Sequence, residues 1–158
     1  MSELITACNY FNYNSKMALK LIENKANPNI QNDGGWTALI LSCHRNNTEV
    51  VLKLIENKAN LDIQSNFGRT ALMWSCIINN TEIALKLIEN KANLDLQDYN
   101  GWTALIWSCC ENKTEITLKL IENKANLDLQ NKDGQTALIR SCKNNNTHII
   151  SYMLEILI

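Results

Sequence analysis

Residues 68–101 contain two hydrophobic patterns in succession, and the first predicts a short helix. Residues 71–78 are almost entirely apolar and directly follow Thr70, a residue type that caps helix N-termini. Asn79 and Asn80 then interrupt the apolar run, and asparagine tolerates the left-handed conformation that ends many helices. We therefore expect a helix over 71–78 and a tight turn after it.

The second pattern predicts an amphipathic helix over about 81–90. Ile83, Ala84, Leu87 and Ile88 fall on one helical face, and the charged residues of this segment fall toward the other side. Residues 92–101 then alternate between apolar and polar types and end in Asn-Gly, which predicts an extended arm with a tight turn. One unit is thus helix, turn, helix and a projecting, hairpin-like loop.

The same unit recurs along the chain at a fixed spacing. A Gly-x-Thr-Ala-Leu motif begins at Gly35, Gly68, Gly101 and Gly134, with 33 residues between successive copies. A nine-residue block from Leu to Asn, LKLIENKAN, keeps the same spacing and ends at residues 27, 60, 93 and 126. A period of this length predicts stacked units, none of which can bury its apolar face alone.

Composition and charge exclude several classes of protein. The chain has 158 residues, of which 46% are hydrophobic and 20% charged, so it is neither disordered nor dominated by membrane spans. Its net charge is −1 and its basic residues are spread through the units, so we expect no nucleic-acid partner. No secretory signal is recognised, and a cytoplasmic location is expected, with the nucleus as an alternative.

Most of the six cysteines are predicted to be packing residues. Four of them share one repeat position: Cys43, Cys76, Cys109 and Cys142. Stacked helices lie about 8–10 Å apart, whereas a disulfide needs Cα atoms within about 7 Å, so these thiols are expected to be small buried fillers, as is Cys8. Cys110 falls where a side chain should be exposed and is the one candidate for a reactive thiol.

No catalytic, metal or cofactor site is expected, and the chain is predicted not to be an enzyme. His44 and His148 belong to different units and have no carboxylate or cysteine partner at metal-ligand spacing. A Ser-Cys pair such as Ser75-Cys76 recurs from unit to unit, which is typical of a packing position, because catalytic groups occur once.

These motifs resemble those of the ankyrin repeat family. The matching residues are Gly35, Thr37 and Leu39 with their three copies, the apolar pair Val50-Val51 that opens a second helix, and Ala-Asn-Leu-Asp at 59–62. The resemblance covers nearly the whole chain. It implies an all-α ankyrin-repeat solenoid of stacked helix-turn-helix units with projecting β-hairpin-like loops, and a non-catalytic module that binds another protein.

Three departures from the family pattern predict altered turns and modest stability. The family's histidine after the threonine cap is replaced by isoleucine or, in one copy, Met73, so its polar network is expected to be missing. Asparagine and lysine replace the usual glycines before and after the second helix, and a left-handed lysine costs on the order of 1 kcal/mol. The asparagines are Asn46, Asn79, Asn112 and Asn145, and the lysines are Lys58, Lys91 and Lys124.

The repeat register divides this single domain into five units. The first unit has an opening helix at 4–8, followed by a connection at 9–15 that is two residues longer than its counterparts. The predicted units are an N-terminal capping unit at 1–32, full repeats at 33–65, 66–98 and 99–131, and a C-terminal unit at 132–158.

Side chains that differ between units are the candidates for partner recognition. They flank the repeat glycine, stand two residues after the shared leucine of the first helix, or follow the shared cysteine. In the ankyrin family these positions line a concave groove formed by loop tips and first helices. The predicted partner-binding residues are Trp36, Leu41, Phe67, Arg69, Trp74, Ile77, Tyr99, Trp102, Trp107, Glu111, Gln135 and Arg140.

Two alternatives stay open at this point. Trp74 and Trp107 could instead pack between neighbouring first helices, while Trp36 and Trp102 brace the loops. The chain could also be a structural spacer or a scaffold that self-associates weakly through the apolar C-terminal helix at 147–158. The sequence does not name the partner protein.

Overall fold

The computed structural model describes residues 2–9 and 14–157, and within them the chain forms ten helices and no strand. The helices come in five pairs, each joined by a short connection. Their bounds are α1 Glu3–Asn9, α2 Ser15–Glu23, α3 Ala38–His44, α4 Thr48–Glu56, α5 Ala71–Ile78, α6 Thr81–Glu89, α7 Ala104–Cys110, α8 Thr114–Glu122, α9 Ala137–Lys143 and α10 Thr147–Leu157. The predicted all-α repeat solenoid is confirmed.

The pairs stack into two layers of helices. The first helices pack in the order α1, α3, α5, α7 and α9, and the second helices pack in the order α2, α4, α6, α8 and α10. Leucines of both layers are fully buried in the middle units, as Leu72 in α5 and Leu87 in α6 show. Burial of such a side chain stabilises the fold by roughly 1.5–3 kcal/mol, and each unit depends on its neighbour for that burial.

Threonine and asparagine set the helix starts, as the sequence predicts. Thr70 Oγ1 accepts a hydrogen bond from the Met73 backbone N–H at the start of α5, and Asn80 Oδ1 accepts one from Ile83 at the start of α6. Each cap satisfies a backbone donor that the helix itself leaves free. The start of α8 is different, because Lys113 makes no side-chain cap.

The turns before α4, α6, α8 and α10 and after α2, α4, α6 and α8 contain a left-handed residue. The asparagines before these helices and the lysines after them have φ between 53° and 66°. The turns therefore differ from the family pattern in residue type, because asparagine or lysine replaces glycine, but they keep the left-handed conformation. Those residues are Asn46, Asn79, Asn112 and Asn145, and Lys25, Lys58, Lys91 and Lys124.

Hydrogen bonds join the loops to one another. Within one loop the Ser65 N–H donates to the Arg69 carbonyl at 3.0 Å, which gives the loop its hairpin-like closure. Between loops, the Tyr99 N–H donates to the Phe67 carbonyl at 3.1 Å. Gly68 has a φ of 76°, and a Cβ on it would lie 2.7 Å from the Tyr99 nitrogen, so this approach of adjacent loops requires glycine.

The cysteines follow the prediction except for Cys142 and Cys110. Cys8, Cys43, Cys76 and Cys109 are buried free thiols, and burial raises the pKa of Cys76 to about 12. The prediction was wrong for Cys142, which is exposed in α9, since none of the described helices packs over it on the outer side. Cys110 is half-buried, whereas an exposed side chain was expected, and burial raises its pKa, which opposes formation of a reactive thiolate. Its reactivity stays a prediction.

The last unit presents apolar side chains at its outer end. Leu154 in α10 is 45% exposed, whereas its counterpart Ile88 in α6 is 4% exposed. Ile139 and Ile156 are exposed as well. None of the helices in the described residues has the length and apolar character needed to cross a membrane.

The connection predicted at 9–15 is described only in part, because residues 10–13 lie outside the described residues.

Candidate partner-binding surface

The threonine caps place one loop residue and one helix residue of each unit close together. Arg69 directly precedes the cap Thr70, and Trp74 lies on the first turns of the helix that Thr70 starts. The residue before the cap therefore lies at the base of the loop, beside the exposed side of the first helix. We call the surface that these two positions form along the stack the loop-helix surface.

An unbroken series of stacked side chains runs along the loop-helix surface. The guanidinium carbon of Arg69 lies 5.0 Å from the ring centre of Trp74 and 4.8 Å from that of Trp107. The rings of Trp107 and Trp102 are 4.4 Å apart between centres. Each guanidinium contact of this kind stabilises by about 0.5–2 kcal/mol, depending on how far it is removed from water.

The series extends beyond these residues at both ends. Trp36 lies 5.3 Å from Trp74 between ring centres, and the guanidinium carbon of Arg140 lies 4.4 Å from the centre of Trp102. We call the whole series the aromatic ladder. In order of contact its members are Trp36, Trp74, Arg69, Trp107, Trp102 and Arg140.

The ladder connects neighbouring units because each loop residue reaches two first helices. Arg69 contacts Trp74 of its own helix α5 and Trp107 of the next helix, α7. Trp102 likewise contacts Trp107 in α7 and Arg140 in α9. The tryptophans also pack against the core and are half-buried, so they have a packing role together with a solvent-facing edge.

A buried carboxylate fixes the centre of the ladder. Asp98 is 5% exposed, and its Oδ1 accepts hydrogen bonds from the backbone N–H groups of Asn100 and Trp102. Its Oδ2 accepts a hydrogen bond of 3.2 Å from Trp107 Nε1 and lies 3.7 Å from Arg69 Nε. Sequence reasoning missed Asp98. The sequence could have indicated it, because Asp98 is the charged residue at a repeat position otherwise held by Asn32, Ser65 and Asn131.

The other predicted residues differ in how they meet the solvent. Phe67 and Tyr99 are 65% exposed at the loop tips, Glu111 is exposed, and Ile77 is half-buried. Leu41 lies in the hydrophobic core, so the structure places it below the surface on which it was predicted.

His44, which was not among the predicted residues, closes the N-terminal end of the ladder. Its ring meets Trp36 and Trp74 edge-on, at 5.3 Å and 4.5 Å between ring centres. Burial lowers the pKa of His44, and the nearby charge of Arg45 lowers it further. A recess of about 170 Å³ adjoins this end and is lined partly by Trp36, Leu41, His44 and Arg45.

At the C-terminal end, buried polar atoms have no hydrogen-bond partner among the residues that the structure describes. They are Arg140 Nε, Asn131 Nδ2 and Gln135 Oε1. Asn131 uses its Oδ1 to accept from the Asp133 and Gln135 backbone N–H groups, as Asp98 does one loop earlier. The last loop thus repeats the geometry of the central one without its charge.

The chemistry available on this surface is stacking, hydrogen bonding and charge pairing. In the described part of the chain, no group of three or more histidine, cysteine, aspartate or glutamate residues is placed to hold a metal ion. The surface combines fixed aromatic edges with two guanidinium groups, one of which is already paired.

Comparison with known proteins agrees with this architecture. The family model for ankyrin repeats (3 copies) matches residues 4–98, 50–131 and 78–157, which together cover nearly the whole chain. No curated protein matches the chain.

Proposed function

The chain belongs to the ankyrin repeat family, whose members are generally protein-protein interaction modules and typically non-catalytic, and we propose that it binds another protein through the loop-helix surface. In this proposal it is an adaptor without enzymatic activity, located in the cytoplasm or the nucleus. The proposed contacts are the aromatic ladder and the residues around it: Phe67, Ile77, Tyr99, Glu111 and Gln135.

The observation that carries this proposal is the aromatic ladder itself. Tryptophan, tyrosine and arginine contribute most of the energy in many protein interfaces, and truncation of a true hot spot costs about 2 kcal/mol or more. Here such residues form a continuous line across several units, with Phe67 and Tyr99 exposed beside it. A partner laid along the stack could therefore contact several of them at once.

The ladder is also fixed before any partner arrives. Asp98 holds Trp107 and Arg69, and each of those is stacked in turn on a neighbour. Ordering a flexible side chain at an interface costs about 0.5–1.5 kcal/mol, and groups that are already ordered avoid much of that cost. The geometry favours recognition by a preformed surface.

The proposal can be tested with ligands selected against the full chain. Peptides would be selected from a random-peptide display library, synthesised, and measured by fluorescence anisotropy against the wild type and a Phe67→Ser/Tyr99→Ser variant. Both side chains are largely exposed, so the variant should keep its fold. We expect its affinity to be at least tenfold lower, which corresponds to about 1.4 kcal/mol.

Met17→Ser is the matched control, because Met17 is an exposed apolar residue on α2, in the layer of second helices. This variant should bind the peptides as the wild type does. Equal affinity of all three proteins would contradict the proposal, and so would a selection that yields no peptide dependent on Phe67 and Tyr99.

The packing alternative for the tryptophans has its own test. A Trp74→Ala/Trp107→Ala variant removes two ring systems that contact Arg69 and the core. We expect a loss of stability together with a loss of peptide binding, because the rings are half-buried. A stable variant that binds normally would exclude these rings from recognition.

A second candidate function is self-association through the outer end of the last unit. The exposure of Ile139, Leu154 and Ile156, at an end where equivalent positions are otherwise covered or polar, favours it. Sedimentation velocity over a range of concentration should then show dimers or larger species that a Leu154→Lys variant lacks. A monomer at every concentration would exclude this candidate.

A further inference from the structure

We propose that the partner places an aspartate or glutamate side chain beside Arg140, at the C-terminal end of the aromatic ladder. This inference rests on the proposed function, since it identifies the chemistry of the partner at the same surface.

The two guanidinium groups of the ladder have different electrostatic surroundings. Arg69 lies 3.7 Å from the buried Asp98 carboxylate, so the chain itself supplies the opposite charge. Arg140 is stacked on Trp102 in the same way, yet among the described residues it forms no ion pair. The ladder therefore ends in an uncompensated positive charge.

The reason for this difference lies in one residue of the preceding loop. Asp98 accepts a hydrogen bond from Trp107, nine residues later, and Asn131 stands at the same distance before Arg140. Because asparagine carries no charge, its amide cannot take the role of the carboxylate. Asn131 is 4% exposed, and its Nδ2 is buried without a hydrogen-bond partner, as is Arg140 Nε.

Because Arg140 Nε and Asn131 Nδ2 are buried, a partner does not reach them directly, and the contact has to be made by the part of Arg140 that meets the solvent. A hydrogen bond to a charged group contributes more than a neutral one, and arginine suits carboxylates because its planar fork can donate two parallel bonds. Arg140 keeps part of its surface exposed, so a carboxylate can approach the guanidinium from the solvent side.

The charges around Arg140 are compatible with an acidic ligand. Lys143 follows on the last turn of α9, and Lys132 is exposed on the neighbouring loop. Glu111 and Asp133 are exposed, and among the described residues neither forms an ion pair with Arg140. Within the described residues, α9 thus offers a partner an unpaired guanidinium and a second basic residue, Lys143, and both favour a ligand of opposite charge.

The test uses the peptides selected against the full chain, restricted to those whose binding depends on Phe67 and Tyr99. We expect these peptides to share an aspartate or glutamate, and replacing it with asparagine or glutamine should weaken binding at least tenfold. An Arg140→Gln variant should weaken binding of the acidic peptide by a similar factor and should have little effect on the neutral peptide. This coupling identifies Arg140 as the group that the acidic side chain contacts.

Two further variants separate a specific contact from general attraction. Lys143→Gln removes the same charge one turn along α9 and should weaken binding much less than Arg140→Gln. Asn131→Asp keeps the size of the side chain and the turn that its Oδ1 supports, but gives Arg140 a carboxylate of its own. It should lower the affinity for the acidic peptide more than the affinity for the neutral peptide, and it should raise the thermal stability of the protein.

The outcomes distinguish this inference from the proposed function. Peptides that depend on Phe67 and Tyr99 but bind Arg140→Gln with unchanged affinity would overturn the inference and leave the proposed function standing. Equal losses for Arg140→Gln and Lys143→Gln would also overturn it, because net charge alone would then explain the effect. A selection without any peptide dependent on Phe67 and Tyr99 would overturn both.

Discussion

The indole nitrogen of Trp107 donates a hydrogen bond of 3.2 Å to Asp98 Oδ2, and this bond holds together the centre of the ladder. The buried nitrogen of Trp74, the equivalent tryptophan in the preceding unit, has no acceptor within the described part of the chain, because Ser65 stands where Asp98 would be. The ladder is therefore anchored at one point, and Trp74 is held by stacking on Arg69 and Trp36.

Asp98→Asn should weaken this anchor. The amide can still accept from the Asn100 and Trp102 backbone N–H groups, but it would present a donor to Trp107 Nε1 and would no longer balance the charge of Arg69. Loss of a buried hydrogen bond to a charged group costs about 1.5–3 kcal/mol. We expect the free energy of unfolding, measured in urea, to fall by about 2 kcal/mol.

Asp133→Asn is the control for that substitution. It makes the same chemical change at an exposed position of the next loop, where the carboxylate forms no ion pair within the described residues. Its free energy of unfolding should stay within about 0.5 kcal/mol of the wild type. If the two variants lost equal stability, the anchoring role of Asp98 would be excluded.

Lys113→Asn should stabilise the protein by restoring a missing helix cap. Asn80 caps α6, and its Nδ2 also donates to Asn46 Oδ1 and Thr48 Oγ1 of the preceding unit, at 2.6 Å and 3.0 Å. Lys113 holds the equivalent position before α8 and makes no cap. We expect an increase in the free energy of unfolding of about 1 kcal/mol, measured by urea denaturation.

A control has to show that the increase in stability comes from the added asparagine cap and not from removal of the lysine. Lys113→Ala serves as the control, because alanine is a poor cap and should give no comparable increase. An Asn80→Lys variant should show the reverse effect at α6. A Lys113→Asn protein no more stable than the alanine variant would show that the cap contributes nothing there.

Lys91→Gly should also stabilise the protein, through the backbone. Lys91 has a φ of 66° in the turn after α6, where a side chain costs about 1–2 kcal/mol and glycine costs nothing. Glycine gains entropy in the unfolded chain, which offsets part of this, so we expect a net increase of about 0.5 kcal/mol in the free energy of unfolding. Lys86→Gly, inside α6, should have the opposite sign.

The fold could be predicted from the sequence because its determinants are local and repeated. Thr70 as a cap, the left-handed Asn79 and the buried face with Leu87 each follow from a few neighbouring residues, and the 33-residue spacing repeats them. The family model confirms the resemblance that these motifs indicate. Variation between units also picked out every member of the aromatic ladder.

The contacts within the ladder could not be predicted, because they depend on how far one unit is displaced from the next. The period brings Arg69 and Trp107 into neighbouring units, but it does not say that the guanidinium lies against the ring. The burial of Leu41 and of Cys142 was predicted wrongly, because it also depends on how neighbouring units pack. Leu41 is covered by its surroundings, whereas Cys142 lacks the next unit that covers its counterparts.

Acidification should weaken the N-terminal end of the ladder through His44. Burial and the Arg45 charge lower the pKa of His44 in the folded protein, while in the unfolded chain it is about 6.5. Below about pH 6.5 the unfolded state binds more protons than the folded state. The stability contributed by the neutral ring is therefore present at higher pH and is lost as the pH falls toward the folded pKa.

Urea unfolding at pH 7.5 and 5.5 should therefore show a larger loss of the free energy of unfolding for the wild type than for His44→Gln. His148→Gln, an exposed control, should lose as much as the wild type. If His44→Gln and the wild type lost equal stability between these pH values, His44 would have no part in the pH dependence.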